Sequence, residues 1–179
     1  MEWNKRKPNR LSGYDYNQNG AYFITVCVKD KREMLWNPVR ARNARPNPGI
    51  VPALPIEERT ACPQNTQHLS EYSVVVENAI KNIPNHYSPV SVDKYVVMPN
   101  HIHMILRVDT PVDGRAMRAP TVSTVINQMK GYVTKQIGFS LWQKLFHDHI
   151  IRNEEEYKKI WEYIDTNPIK WENDCYYVL

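Results

Sequence analysis

The chain has few cysteines, no long apolar run and no P-loop, and each absence excludes a class of protein. Its three cysteines, Cys27, Cys62 and Cys175, are scattered and odd in number. They form neither a disulfide framework nor a zinc knuckle, and they predict reduced thiols in a cytoplasmic protein. No apolar run reaches the length of a membrane span, and the opening MEWNKRKPNR lacks the apolar stretch of a secretory signal. Without a P-loop, we expect chemistry that needs no ATP.

The composition that is present fits one globular domain. The chain has 179 residues with 42% hydrophobic and 23% charged residues, which predicts a single domain over residues 1–179. A formal charge of +4 permits a nucleic-acid partner without demanding one. Six of the 13 prolines lie between Pro38 and Pro63, which predicts an extended surface loop at about 38–66.

The order of predicted elements mixes strands with helices. A β-branched and aromatic strand spans 20–30, a helix follows Ser70, and a hairpin with a Pro-Asn turn spans 91–108. A second helix ends at Gly138, an edge strand lies within 141–152, and Asn153 begins a last helix with an apolar stripe. The pattern predicts an α+β domain, an antiparallel sheet covered by helices.

The run YVVMPNHIHMIL, from Tyr95 to Leu106, contains two histidines in an otherwise apolar strand. Residues i and i+2 of a strand point to the same face, so His101 and His103 project together and Ile102 points the other way. Two neutral imidazoles side by side can bind a divalent metal, although two hydrogen-bonded core histidines would give the same pattern. A catalytic metal site needs a further ligand and a reactive group nearby.

The helix TVSTVINQMKGYVTKQIG contains a candidate for the further metal ligand and a candidate for the reactive group. Its apolar face is expected to pack on the sheet. Gln136 lies on the margin of that face and Tyr132 further round the same side, one helical turn earlier. A tyrosine and an amide oxygen could therefore face the sheet together. The alternative is that Tyr132 is a half-buried aromatic residue and Gln136 a solvated polar one.

MPNHIHMIL followed by INQMKGYVTKQIG resembles the single-tyrosine HUH transposases, where HUH denotes histidine, hydrophobic residue, histidine. The segments GAYFITVCV, LWQKLFHDHIIR and YIDTNPIKW make the resemblance closest to the REP-associated tyrosine transposases, over nearly the whole chain. The resemblance implies a ferredoxin-like α+β fold, an HUH domain with a central antiparallel sheet covered by helices. It also implies an enzyme, a metal-dependent endonuclease and strand transferase that cleaves and rejoins single-stranded DNA near hairpins such as REP-like palindromes.

Carried over by position, the resemblance implies that Tyr132 is the nucleophile and that His101, His103 and Gln136 bind Mg or Mn. The product would be a 5′-phosphotyrosine with a free 3′-hydroxyl, which keeps the energy needed for rejoining. We expect single-stranded or hairpin DNA as the partner, no membrane, and a monomer or homodimer. Alternatives are a non-mobilising hairpin DNA-binding protein with the same fold, an HUH replication or conjugation nickase, and a hydrolase in which Tyr132 is only structural.

Several other polar and aromatic residues have two interpretations each. The candidate DNA contacts are a basic N-terminal arm and the lysines flanking Tyr132, and both sets are equally compatible with solvated surface: Lys5, Arg6, Lys7, Arg10, Lys130 and Lys135. A second His-x-His, His147 and His149, has no apolar middle residue, so we expect a structural or DNA-proximal role. Tyr157 and Tyr163 of the last helix are expected to pack in the core.

Overall fold

The computed structural model describes residues 19–37, 69–109 and 120–177. The strands are β1 (Gly20–Cys27), β2 (Val90–Val97), β3 (His101–Val108) and β4 (His147–Ile151). The helices are α1 (Glu71–Lys81), α2 (Ile83–His86), α3 (Val122–Ile137) and α4 (Glu154–Thr166), and 3₁₀ segments span Lys29–Lys31 and Asn167–Asn173. None of these helices is long and apolar enough to cross a membrane. Within the described residues, Cys27 and Cys175 are free thiols, as predicted.

The four strands form one antiparallel sheet in the order β2-β3-β1-β4. Helix α1 lies between β1 and β2 in sequence, and α3 lies between β3 and β4. This βαββαβ order is that of the ferredoxin-like fold, and α4 follows it as an additional helix. The predicted fold class and the position of β4 at an edge of the sheet are confirmed.

Local sequence signals determine where the helices begin and end. Ser70, Thr121 and Asn153 each accept a hydrogen bond from the backbone N–H three residues later, which satisfies one of the free donors at a helix start. Gly138 ends α3 with a φ of 80°, a left-handed conformation that glycine adopts at little cost. Ser70, Gly138 and Asn153 were predicted from the sequence.

Different helices cover the two faces of the sheet. Ile102, Met104 and Leu106 of β3 pack beneath α1 and α3 in the larger core cluster. Ile105 packs on the other face with Ile164 of α4. Because alternate strand residues share a face, His101 and His103 lie on the same side as Ile105 and α4. Helix α3 therefore lies on the opposite side of the sheet from both imidazoles.

The chain leaves and re-enters the described structure at neighbouring positions on either side of the proline-rich segment. Trp36 and Leu69 form an isolated antiparallel bridge, and Asn37 Nδ2 donates to the carbonyl oxygen of Leu69 at 3.2 Å. The segment 38–68 lies outside the described residues, so the surface loop at about 38–66 stays a prediction. Because its two ends are adjacent, its length need not alter the positions of β1 and α1.

Candidate active site

The turn between β2 and β3 orients the first histidine. Asn100 is 1% exposed, and its Oδ1 lies 2.8 Å from His101 Nδ1. Its Nδ2 donates to the carbonyl oxygens of Lys31, at 3.2 Å, and of Tyr176, at 2.9 Å. These two bonds fix the amide so that Oδ1 faces the imidazole. His101 must then donate from Nδ1, which leaves the lone pair on Nε2.

The neighbouring strand orients the second histidine. Thr25 of β1 is directly opposite His103 in the ladder, and its Oγ1 lies 2.8 Å from His103 Nδ1. Both side chains are almost completely buried. When His103 carries its hydrogen on Nδ1, the hydroxyl accepts it and Nε2 keeps its lone pair. A partner on the far nitrogen is the usual way that a metal-binding histidine is held.

The two Nε2 atoms face each other at 2.9 Å. Burial, with Lys31 nearby, lowers the pKa of His101 to about 3. Burial and the adjacent His101 lower the pKa of His103 well below its ordinary value, so both rings are neutral near neutral pH. Neutral imidazole is the form that binds metals, and metal–nitrogen bonds of about 2.0–2.1 Å put two adjacent ligand nitrogens about 3 Å apart. The histidine pair, His101 and His103, therefore fits a divalent ion.

An acidic side chain adds an oxygen to this donor set. The ligand atoms of His101, His103 and Asp174 all lie within 4.8 Å of one another. Asp174 Oδ1 accepts a hydrogen bond from the backbone N–H of Tyr176 at 2.7 Å. Two imidazole nitrogens and a carboxylate oxygen suit Mn, Zn or Mg. Asp174 is thus a third candidate metal ligand, which the sequence analysis did not select.

A tyrosine of α4 borders the same site. The Tyr163 hydroxyl lies 3.4 Å from His103 Nε2 and donates to Asp174 Oδ2 at 3.2 Å. Burial and the Asp174 carboxylate raise the pKa of Tyr163, so it is a neutral phenol at rest. A side-chain hydrogen bond from Asn167, one turn after Tyr163, lowers the pKa of Tyr163 and so partly offsets these two effects. Its side chain is 2% exposed, and its Nδ2 has no hydrogen bond of good geometry within the described residues.

Aromatic rings enclose the histidine pair. The Tyr176 ring lies 4.5 Å from the His101 ring, and Trp171 lies 5.9 Å from it, both between centroids. Phe23 stacks on His103 with a centroid distance of 5.1 Å. His101 and His103 are consequently 0% and 1% exposed. Tyr176, near the C-terminal end of the described residues, is one of the rings that cover the pair.

The structure does not bring Tyr132 and Gln136 to the histidine pair. Tyr132 is 45% exposed on α3, and Gln136, one turn later, is also exposed. The apolar face of α3, including Met129 and Val133, packs on the side of the sheet away from the imidazoles. The expectation that Tyr132 and Gln136 face the histidines is therefore wrong, because the sheet separates them.

The residues predicted to contact DNA differ in exposure and in their position relative to the sheet. Lys130 is 9% exposed, and its Nζ donates to the carbonyl oxygens of Gln143 at 2.7 Å and Lys144 at 3.0 Å. This lysine stabilises the segment before β4 and is not available to DNA in this conformation. Lys135 is exposed near the end of α3, on the far side of the sheet. The four basic residues of the N-terminal arm lie outside the described residues: Lys5, Arg6, Lys7 and Arg10.

The second His-x-His pair lies on the histidine face of the sheet but at its edge. His147 is opposite Thr25 in the β1–β4 ladder and is exposed. His149 Nε2 lies 2.7 Å from Glu156 Oε1 in the first turn of α4. This contact fits the structural role that was one of the two expectations for the motif.

Sequence reasoning missed Tyr163 and Asp174 as site residues. Tyr163 was assigned to the core, yet it is 40% exposed and borders the histidine pair. One signal was available: Tyr163 and Asn167 have the same i, i+4 spacing as Tyr132 and Gln136. No signal pointed to Asp174, which follows the 3₁₀ segment.

Comparison with known proteins relates the chain to named transposases. No protein-family model matches it. It is 30% identical to an uncharacterised Haemophilus influenzae protein, over 97% of this chain and 93% of that protein. It is 21% identical to a second Haemophilus influenzae protein, provisionally named a REP-associated tyrosine transposase, over 89% and 77% of the two chains. It is also 30% identical to the Escherichia coli REP-associated tyrosine transposase over 46% of each chain.

A solved structure agrees with these relatives. The REP-associated tyrosine transposase bound to a REP hairpin superposes with a TM-score of 0.55 and 22% identity, over 90% of this chain and 74% of that one. The chain is therefore similar in sequence and in fold to REP-associated tyrosine transposases.

Proposed function

We propose that this protein is a REP-associated tyrosine transposase that cleaves single-stranded DNA beside a hairpin by nucleophilic attack of Tyr163. The observation that carries the proposal is the 3.4 Å distance between the Tyr163 hydroxyl and His103 Nε2. A phosphate bound at the histidine pair would lie within reach of that hydroxyl. Tyr163 takes the role that the sequence assigned to Tyr132, because of these two tyrosines Tyr163 is the one on the histidine face.

The metal in this proposal is Mg or Mn, bound by His101, His103 and an oxygen of Asp174. Gln136, the ligand expected from sequence, is replaced by Asp174. When bound, a divalent ion there would neutralise the scissile phosphate and orient it. The remaining work falls to the protein: with an ion bound, Asn100 and Thr25 would each accept a hydrogen from an imidazole Nδ1, so that both Nε2 atoms could direct a lone pair to the ion.

The covalent step exchanges one phosphodiester bond for another. The Tyr163 oxygen attacks phosphorus, the bond to the 3′-oxygen breaks, and the 5′ end becomes a phosphotyrosine. The phenol proton passes to Asp174 Oδ2, which already accepts its hydrogen bond at 3.2 Å. The departing 3′-oxygen takes a proton from water. Attack by a 3′-hydroxyl on the phosphotyrosine reverses these changes and rejoins DNA without ATP.

Hairpin DNA is the proposed ligand. The solved relative is bound to a REP hairpin, and a formal charge of +4 suits a polyanion. The coverage of the histidine pair by Tyr176 favours a second candidate, a hairpin-binding protein that no longer cleaves. The two candidates differ in whether a covalent adduct forms.

The test is adduct formation with a labelled hairpin oligonucleotide that carries single-stranded flanks, in the presence of Mn or Mg. We expect the wild type to give a protein–DNA band that survives denaturing electrophoresis. Tyr163→Phe should abolish the band and keep hairpin binding, because only the hydroxyl is removed. Tyr132→Phe is the matched control and should keep the band.

Three outcomes would contradict parts of the proposal. An adduct that disappears in Tyr132→Phe and persists in Tyr163→Phe would return the nucleophile to α3. Cleavage without any adduct would indicate a hydrolase that uses water. Hairpin binding with neither cleavage nor adduct would favour the non-mobilising binding protein.

A further inference from the structure

Strand β2 contains one extra residue at the point where it passes beneath α4. Val92 pairs with Leu106 and Lys94 pairs with the adjacent Ile105, so Asp93 has no partner of its own in the ladder. In a regular strand, consecutive side chains point to opposite faces. A β-bulge removes that alternation locally and can direct two consecutive side chains to one side. Here Asp93 and Lys94 both reach α4.

The first of the two side chains contacts the start of α4. Asp93 Oδ2 accepts a hydrogen bond from the Tyr157 hydroxyl at 2.9 Å. The same oxygen accepts from Arg107 Nε at 2.9 Å and lies 2.8 Å from Arg107 Nη2. Asp93 Oδ1 accepts from Ser91 Oγ at 3.1 Å. Ser91 and Arg107 of the sheet therefore hold the Asp93 carboxylate in place, and its one contact with α4 among these is the Tyr157 hydroxyl.

The second side chain contacts the last two turns of the helix. Lys94 Nζ lies 2.5 Å from Asp165 Oδ1 and 4.8 Å from the centroid of the Trp161 ring. Asp165 is two residues after Tyr163, and Trp161 is two residues before it. The ammonium group thus contacts residues on both sides of Tyr163 in the sequence.

These polar contacts matter because α4 has little fully buried apolar surface. Ile164 is its one buried residue, and Tyr157, Ile160 and Trp161 are only partly buried against the smaller core cluster. Apolar packing is not directional, so it leaves the rotation and axial position of a helix less defined than hydrogen bonds and ion pairs do. A small shift of α4 would change the distance between Tyr163 and the histidine pair.

We propose that the bulge at Asp93 is a positioning device for the nucleophile. Asp93 fixes the start of α4 through Tyr157, and Lys94 fixes its later turns through Asp165 and Trp161. Together they keep the Tyr163 hydroxyl within reach of His103. The inference rests on the proposed function, since it assumes that Tyr163 attacks the phosphate. Asp93 and Lys94 are positioning residues that act through α4.

The experiment compares two lysines that form ion pairs with α4 acids. Lys94→Met removes the contact between sheet and helix, and Lys94→Arg retains the charge and the ring contact. Lys159→Met is the matched control, because Lys159 pairs with Glu155 within the helix at 2.7 Å and does not reach the sheet. For each variant, the rate of adduct formation is measured in a single turnover, together with hairpin affinity and Mn affinity.

The proposal predicts a split between rate and binding. Lys94→Met should slow adduct formation about 10-fold, since a displacement of about 1 Å can cost up to about 100-fold. Its hairpin and Mn affinities should stay at the wild-type level, and Lys94→Arg and Lys159→Met should keep the wild-type rate. The exchange Lys94→Asp with Asp165→Lys should recover rate relative to Lys94→Asp alone. Asp93→Ala, which removes the acceptor of the Tyr157 hydroxyl, should behave like Lys94→Met.

Other outcomes would refute either the positioning role of Asp93 and Lys94 or the proposed function of the protein, and the two cases can be distinguished. A wild-type rate in both Lys94→Met and Asp93→Ala, with Tyr163→Phe inactive, refutes the positioning role and leaves the proposed function intact. Loss of hairpin affinity in Lys94→Met would make Lys94 a DNA contact and would also refute the positioning role. An adduct that persists in Tyr163→Phe refutes the proposed function, whatever the Lys94 variants do.

Discussion

Replacing Thr25 by valine is expected to weaken metal binding at the histidine pair while the chain stays folded. Valine keeps the β-branched shape that suits β1 but removes Oγ1, which lies 2.8 Å from His103 Nδ1. The Nδ1–H would then be buried without an acceptor, at a cost of about 1–3 kcal/mol. His103 can escape this cost by moving its hydrogen to Nε2. That hydrogen would point at His101 Nε2, only 2.9 Å away.

This change of tautomer sets the size of the effect. With the hydrogen on Nε2, His103 loses the lone pair that faces the metal position, and the two imidazoles bond to each other instead. Loss of such a partner behind a metal ligand typically costs about 10–100-fold in affinity, which corresponds to about 1.4–2.8 kcal/mol. The free energy of unfolding should fall by about 1 kcal/mol, the net value of one buried hydrogen bond.

Calorimetric titration with Mn measures the affinity, and thermal unfolding without metal measures the stability. Thr134→Val on α3 is the control, because it makes the same chemical change on the other side of the sheet. A folded Thr25→Val protein with wild-type Mn affinity would show that the hydroxyl does not set the tautomer of His103.

Three further predictions follow from burial at and around the site. Because the pKa of His101 is lowered to about 3 and that of His103 is also lowered, the unfolded chain binds more protons below about pH 6.5. The free energy of unfolding should therefore fall on acidification, by about 1.4 kcal/mol per histidine at pH 5.5; an equal fall in His101→Ala would contradict this. Tyr176→Ala removes the ring that lies 4.5 Å from the His101 ring, and it should speed modification of His101 and His103 by diethyl pyrocarbonate. An unchanged rate of modification would show that Tyr176 does not shield the two histidines from the reagent. Met104→Ala, at a fully buried position, should cost about 2–5 kcal/mol in denaturant unfolding and leave Mn affinity unchanged, whereas a weakened affinity would show that the two faces are coupled.

Much of the fold could be predicted because its determinants are local. The caps at Ser70, Thr121 and Asn153 depend on a side chain and a backbone N–H three residues away. Gly138 ends α3 through its own backbone conformation. The common direction of His101 and His103 follows from the pleat of a single strand. None of these features requires knowledge of which elements meet in space.

The choice of helix over the histidines could not be predicted in that way. Both α3 and α4 present a tyrosine followed four residues later by an amide, so the spacing does not distinguish Tyr132 from Tyr163. The distinction lies in which helix packs on which face, and that depends on the connections across the whole sheet. Thr25 and Asp174 are equally inaccessible from sequence, because each reaches the site through a contact with a residue distant in the chain.

The packing of different helices on the two faces of β3 should be detectable in a scan that measures the effect of every substitution along the strand. Along this strand, Ile102, Met104 and Leu106 face α1 and α3, whereas His101 and His103 face α4. Substitutions at the first set should reduce the abundance of the protein in cells in proportion to lost packing. Substitutions at the second set should reduce DNA-processing activity more than abundance. The ratio of the two scores should alternate residue by residue from 101 to 104, which would identify the histidine face of the strand without any structure.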